Sequence, residues 1–120
     1  MLDFLDPQRK LISHRLYREN CIQLEEGLFI KDLRIIKNRK INEILLVDNA
    51  AYSFCSHLEN GIPILPFYDS KNDNELLELL SYLKKLLLFD NIVDGNKRCM
   101  KLDKVGKTGE VREAVKCLDN

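Results

Sequence analysis

The run Ile44-Leu45-Leu46-Val47 is apolar without interruption and stops at Asp48-Asn49. A strand with one solvated face alternates polar and apolar residues, whereas a strand covered on both faces by helices does not. The stretch Glu43 to Val47 therefore reads as a parallel strand inside an α/β layer. Between Val47 and Ile62 lie 14 residues in which Tyr52, Phe54, Cys55 and Leu58 recur at roughly helical spacing before Asn60-Gly61. That length suits a crossover to a second parallel strand over Ile62 to Leu65, giving a β-α-β unit. Pro63 and Pro66 remove ladder donors, so this second strand should be short or at an edge.

The flanking segments extend the same architecture. Residues 10 to 24 and Leu28-Phe29-Ile30 read as two extended runs around a Glu25-Glu26-Gly27 turn, a β-hairpin with ragged period-two alternation. Asn72 followed by Glu75 resembles a capping box. Leu76, Leu79, Leu80, Leu83, Leu86 and Leu87 then recur every three or four residues, which predicts a helix of about four turns with its leucine face on the sheet. Past Phe89 the periodicity decays. Residues 1–89 are expected to form one domain and 90–120 a partly flexible tail with a weak terminal helix at VREAVKCL.

Composition narrows the partners. One small domain accommodates 120 residues that are 45% hydrophobic. Nineteen basic against nineteen acidic residues leave no net charge, so no global field draws the chain to nucleic acid. No apolar run approaches the roughly 20 residues of a membrane span. The start MLDFLDPQRK has the layout of neither a signal peptide nor a transit peptide. Cys21, Cys55, Cys99 and Cys117 are scattered with no C-x-x-C, which reads as reduced thiols. The expected location is intracellular, nuclear or cytoplasmic rather than mitochondrial.

Asp48 and Asn49 stand at the carboxyl end of the best strand, where open α/β sheets collect ligands. Both offer the hard oxygen ligands that Mg²⁺ takes. A carboxylate there could equally cap the helix that follows. Lys31, opening a polar connector, is on its own a solvated cation; beside a strand-end carboxylate it could neutralise phosphoryl oxygens. His14 and His57 have no nucleophile setting and read as surface or hairpin polar residues. Arg34, Lys37, Arg39 and Lys40 read as a solvated connector.

The segments HRLYRENC, FIKDL, ILLVDN, NGIPILPFYD and ELLELLSYLKKL, in that order, are similar to the second half of the phosphatase domain of the small RNA polymerase II C-terminal-domain phosphatases, within the haloacid dehalogenase-like superfamily. The resemblance covers Leu2 to about Phe89. It implies a partial Rossmann-like parallel sheet with a β-hairpin and flanking helices. It also implies Mg²⁺ as cofactor and a phosphoserine or phosphothreonine protein as substrate. In it, Lys31 matches the lysine that holds the transferring phosphoryl group, and Asp48 and Asn49 match the acidic Mg²⁺-binding motif.

The attacking group of that family lies in a D-x-D-x-[TV] motif, and no such motif occurs in these 120 residues. Asp3 and Asp6 form D-F-L-D, with the wrong spacing. Relatives continue the metal motif with Ser-Pro, where this chain has Ala50-Ala51. Losing a nucleophile costs up to about 10⁶-fold in rate, so the chain alone should be silent. The alternative is a non-catalytic protein-binding module of the same family. Without a neighbouring nucleophile strand, Ile44 to Val47 should present an unpaired apolar edge, which invites association with another chain. The expected outcome of calorimetry with sedimentation is a marginal melt coupled to association; a cooperative transition of a monomer contradicts it.

Overall fold

In the computed structural model, residues 1–101 are described. The chain is α/β, with a hairpin, a short parallel ladder and helices that cover it. A single turn, α1 (Leu2–Leu5), ends at Asp6. The carboxylate of Asp6 is buried and accepts the backbone N–H groups of Lys10, Leu11 and Ile12 at 2.8, 3.1 and 2.9 Å. This gathered loop, not an extended run, occupies the residues before Arg18–Asn20, which form a 3-10 turn. The strand expected from residue 10 onward is thus confined to β1 (Ile22–Glu25). It pairs antiparallel with β2 (Leu28–Ile30), bulged between Gln23 and Glu25. Gly27 closes the turn at φ 80°, a left-handed conformation that glycine adopts without Cβ strain.

The apolar run becomes β3 (Leu46–Asp48), and β4 (Gly61–Pro63) lies parallel to it, with Leu46, Val47 and Asp48 opposite Gly61, Ile62 and Pro63. The Asp48 carbonyl accepts the N–H of Ile64 at 3.2 Å just past the ladder. The second strand is short, as its prolines require, although it starts one residue early and ends before Ile64. The crossover is a kinked 3-10 helix over Ala51–Asn60, not the α-helix that the spacing predicts. Its kink lies at Phe54 (φ −111°, ψ 20°) and His57 (φ −144°, ψ 59°). Asn60 and Gly61 do not form a free turn. Asn60 donates from Nδ2 to the carbonyls of Ile41 and Ile44, at 2.6 and 2.8 Å. A Cβ at Gly61 would overlap the Phe54 ring.

The leucine helix is α2 (Glu75–Leu86). It starts at Glu75 because Asp73 Oδ1 accepts the N–H of Glu75 at 3.0 Å, while the Glu75 carboxylate turns back to accept the N–H of Leu65 at 3.1 Å. The Asn72 capping box is therefore not formed. Only one of its rows is buried: Glu75, Leu79, Tyr82 and Leu86 face inward, while Leu76, Leu80 and Leu87 are exposed. Tyr82, not a leucine, takes the central position.

The largest departure is α3 (Ile92–Met100), a capped helix in a stretch expected to be flexible. Asn91 Oδ1 accepts the N–H of Val93 and Asp94 at 2.9 and 3.1 Å. Cys99 and Met100 join Ile62, Leu79, Tyr82 and Leu86 in the core, with Val47, Ile64 and Phe89 packed around them. A Cβ at Gly95 would come within 2.8 Å of the Phe89 ring, so a glycine is what lets α3 approach. The expected helix at VREAVKCL lies outside the described residues.

Asn96 fixes the register of this assembly. Fully buried, it accepts from the Tyr82 hydroxyl at 2.7 Å and donates to the carbonyls of Glu59 and Gly61 at 2.8 and 2.9 Å. One amide thus joins α3, α2, the crossover and β4. Because buried polar groups left without partners each cost about 1–3 kcal/mol, Asn96→Leu should destabilise the chain by roughly 2–4 kcal/mol and Tyr82→Phe by about 1 kcal/mol. Urea denaturation followed by circular dichroism checks both.

Candidate functional site

The site forms where β2 and β3 end side by side. Ile30, the last residue of β2, is buried and anchors the strand, so the next two residues leave it in fixed directions. The backbone N–H of Lys31 donates to the Ser53 carbonyl at 2.8 Å, pinning this point to the crossover. From there the Lys31 ammonium reaches across to β3 and donates to Asp48 Oδ2 at 2.5 Å. Asp48 Oδ1 accepts the N–H of Ala50 at 2.8 Å. The pair is asymmetric: the Lys31 side chain is 46% exposed and that of Asp48 8%. A carboxylate so buried needs compensation.

Burial pushes the Asp48 carboxyl up, but the Lys31 ammonium, the Ala50 N–H and a hydrogen bond from Ser53 outweigh it, and the net shift is downward. Asp48 is thus ionised through the neutral range. Asp48 does not cap the crossover helix, whose N-cap is Ala50 without a side-chain cap hydrogen bond. Its Oδ1 instead holds the backbone at Ala50, just before the crossover, and its Oδ2 faces the Lys31 ammonium.

Asp32, which sequence reasoning passed over, turns the other way. Its carboxylate is buried and caps the turn Leu33–Ile35 by accepting the Arg34 N–H at 2.9 Å. The Arg34 guanidinium adds Nε at 3.0 Å and Nη2 at 2.6 Å. His57 Nε2 stands 3.1 Å from Oδ1. The Arg34 guanidinium first, then its backbone N–H, then His57, hold the Asp32 carboxyl well below the usual carboxylate range. His57 is therefore half-buried, its ring turned onto Asp32 at the crossover kink. Its signal in the sequence is slight, because the pairing spans 25 positions and depends on that kink.

Lys31, Asp48 and Asn49 line one open cleft of about 590 Å³, together with Tyr17, Arg18 and Ser53. Asn49 is exposed. The hairpin forms the opposite wall, where the Arg18 guanidinium lies over the Phe29 ring at 4.8 Å. The basic cluster Lys37, Arg39 and Lys40 is exposed and outside the cleft. Asp3 and Asp6 are engaged elsewhere, Asp3 with Arg15 at 2.7 Å.

A magnesium ion takes six oxygens, usually including one or two carboxylates, water and a substrate phosphate. Among the described residues no group of three or more His, Cys, Asp or Glu side chains is arranged to hold a metal. The residues lining the cleft include two acids, Asp48 paired with Lys31 and Asp32 paired with Arg34, and two amides, Asn20 and Asn49. With both acids already engaged by cations, this lining falls short of the oxygen set that magnesium takes. No helix of the described residues is long and apolar enough to cross a membrane.

Comparison with known proteins identifies the family. Residues 1–93 match the family model of NLI interacting factor-like phosphatases. A protein of Caenorhabditis elegans, CTD small phosphatase-like protein 3, is 42% identical over 86 residues, covering 72% of this chain and 29% of its own length. The probable C-terminal domain small phosphatase of Dictyostelium discoideum is 40% identical over 92 residues, 77% of this chain and 29% of its own. Nuclear envelope morphology protein 1 of Schizosaccharomyces pombe is 34% identical over 94 residues, 78% of this chain and 19% of its own. The chain thus spans less than a third of these relatives.

Both acids contribute to stability with one sign. Their folded values lie below the ordinary value of 3.8, so the contribution is present above that pH and is lost as pH falls through the folded values. Acid unfolding followed by circular dichroism should show stability declining below about pH 4. Asp48→Asn should flatten that decline, and an unchanged acid limb would contradict the pairing.

Proposed function

Because the chain belongs to the NLI interacting factor-like phosphatase family, we propose that its cleft is the phosphoryl-holding side of a phosphoserine or phosphothreonine phosphatase site. The observation that carries this reading is the Lys31 ammonium held at 2.5 Å over a buried, ionised Asp48 at the carboxyl end of a parallel strand. An ammonium at such a place neutralises oxygens of a transferring phosphoryl group, and the buried carboxylate keeps it aimed. Asp48 and Asn49 would contribute two of the oxygens around Mg²⁺, with others from phosphate, water and groups that these 120 residues do not carry. Magnesium bound there would supply charge neutralisation at the phosphate. The chain's own residues do the rest: Lys31 binds, Ser53 holds the Lys31 backbone through its carbonyl and Asp48 through a hydrogen bond, and Ala50 orients Asp48 through its N–H.

Phosphoryl transfer in this family's manner needs an attacking carboxylate, which would split one displacement into two. The D-x-D-x-[TV] pattern that would supply it is not in the chain. The reading therefore assigns the chain half of a site. The relatives named as phosphatases and as a nuclear-envelope protein favour a phosphoprotein substrate and a nuclear or cytoplasmic setting.

The test is a Mg²⁺-dependent assay on a phosphoserine peptide, with the product of the full-length transcript beside this chain. A product that carries the D-x-D-x-[TV] motif should be active, with Lys31→Ala lowering kcat by about 10²–10³-fold, as expected for an electrostatic stabiliser. This chain alone should be inactive. Activity in the isolated chain would show that its nucleophile is present and unrecognised; inactivity of both, with a specific protein partner recovered, would favour the binding-module reading.

A further inference from the structure

The contacts around Asp32 do more than close a turn. Lys31 and Asp32 are consecutive, and their side chains leave β2 on opposite sides, Lys31 to Asp48 and Asp32 to His57. Arg34 makes more contacts with Asp32 than His57 does. It comes from the same turn, however, two residues away, and its side chain is 76% exposed, where ion pairs are weakly held. His57 comes from the crossover, and its side chain is only 14% exposed. Its ring reaches Asp32 because the backbone is non-helical at His57 itself, φ −144° and ψ 59° inside a 3-10 helix. The same crossover carries Ser53, whose carbonyl accepts the Lys31 N–H. The end of β2 is thus tied to the crossover at two adjacent residues, on both sides of the peptide that carries the lysine.

We propose that His57 is a positioning residue: by holding Asp32 to the crossover, it fixes the backbone from which Lys31 reaches the Asp48 carboxylate and the phosphate position. This inference rests on the phosphoryl-holding reading of Lys31 and adds a residue to it. Functional groups must be held within roughly 0.5 Å of their working geometry by neighbours that are themselves locked. Lys31 has a long, flexible stem, so its aim depends on its root. The imidazole Nε2–H donating to Asp32 Oδ1 meets that need in either the neutral tautomer that carries the proton there or the cation.

Competitive acetylation of the whole chain, with each lysine quantified by mass spectrometry, reads the position of the Lys31 ammonium without requiring activity. In the wild type, Lys31 should label slowly because Asp48 occupies it, and inorganic phosphate with Mg²⁺ should slow it further. His57→Ala and His57→Leu should raise Lys31 labelling about two- to tenfold, the range for one lost hydrogen bond, and leave exposed Lys10 unchanged. His57→Gln, which keeps a donor, should restore most of the protection. Lys31 labelling indifferent to every His57 variant overturns the inference. So does loss of the fold in both the Ala and Leu variants, which would make the ring a structural tie only. Failure of the underlying reading shows differently, as wild-type Lys31 that inorganic phosphate does not protect.

Discussion

The ion pair between Lys31 and Asp48 joins two sheets that share no strand. β1 and β2 form one ladder and β3 and β4 another, and among the described residues no strand pairing connects them. What places the hairpin against the parallel unit is the end of β2: the Lys31 N–H on Ser53, the Lys31 ammonium on Asp48, and Asp32 on His57. A buried carboxylate at the end of an apolar strand is costly unless charge and hydrogen bonds answer it. Here the answer comes from the neighbouring element. The constraint that assembles the fold and the constraint that builds the cleft are the same group of contacts.

The core supports this arrangement from below. β3 and β4 are only three residues each, too short to persist as an isolated ladder. Ile62, Tyr82 and Leu86 seal one side of them, and the Asn96 amide satisfies two crossover and strand carbonyls that a purely apolar core would strand. The upper half of the unit is polar and locally irregular. The lower half is conventional packing of α2 and α3. Such a division, a fixed base carrying a polar crest of loops, is what binding sites on α/β layers require.

The strand Leu46–Asp48 and the placement of Asp48 were legible because an unbroken apolar run closed by an acid fits the end of a covered strand and little else. Lys31 was legible only with the resemblance, since nothing local separates it from a solvated lysine. Asp32, Ser53 and His57 were not, because their roles arise from a kink in the crossover that spacing disguises as an ordinary helix. The helix Ile92–Met100 escaped notice for a related reason. Gly95 and Asn96 weaken its apolar pattern, yet each is required by what it touches, the Phe89 ring and the Tyr82 hydroxyl. The leucine periodicity of α2 overstated its buried face, because two of the four inward positions are Glu75 and Tyr82. In each case a polar or small residue with one tertiary purpose replaced the apolar residue that a pattern expects.

The central claim is that the cleft between the ends of β2 and β3 receives a phosphoryl group at the Lys31 ammonium. Its most direct test is a nuclear magnetic resonance titration of the isotope-labelled chain with inorganic phosphate in the presence of Mg²⁺. The account predicts that the first and largest shifts fall on the Lys31 side-chain signal and on the amides of Asp48, Asn49, Ala50 and Ser53. Shifts confined to Lys37, Arg39 and Lys40, with Lys31 and Asp48 unmoved, would contradict it.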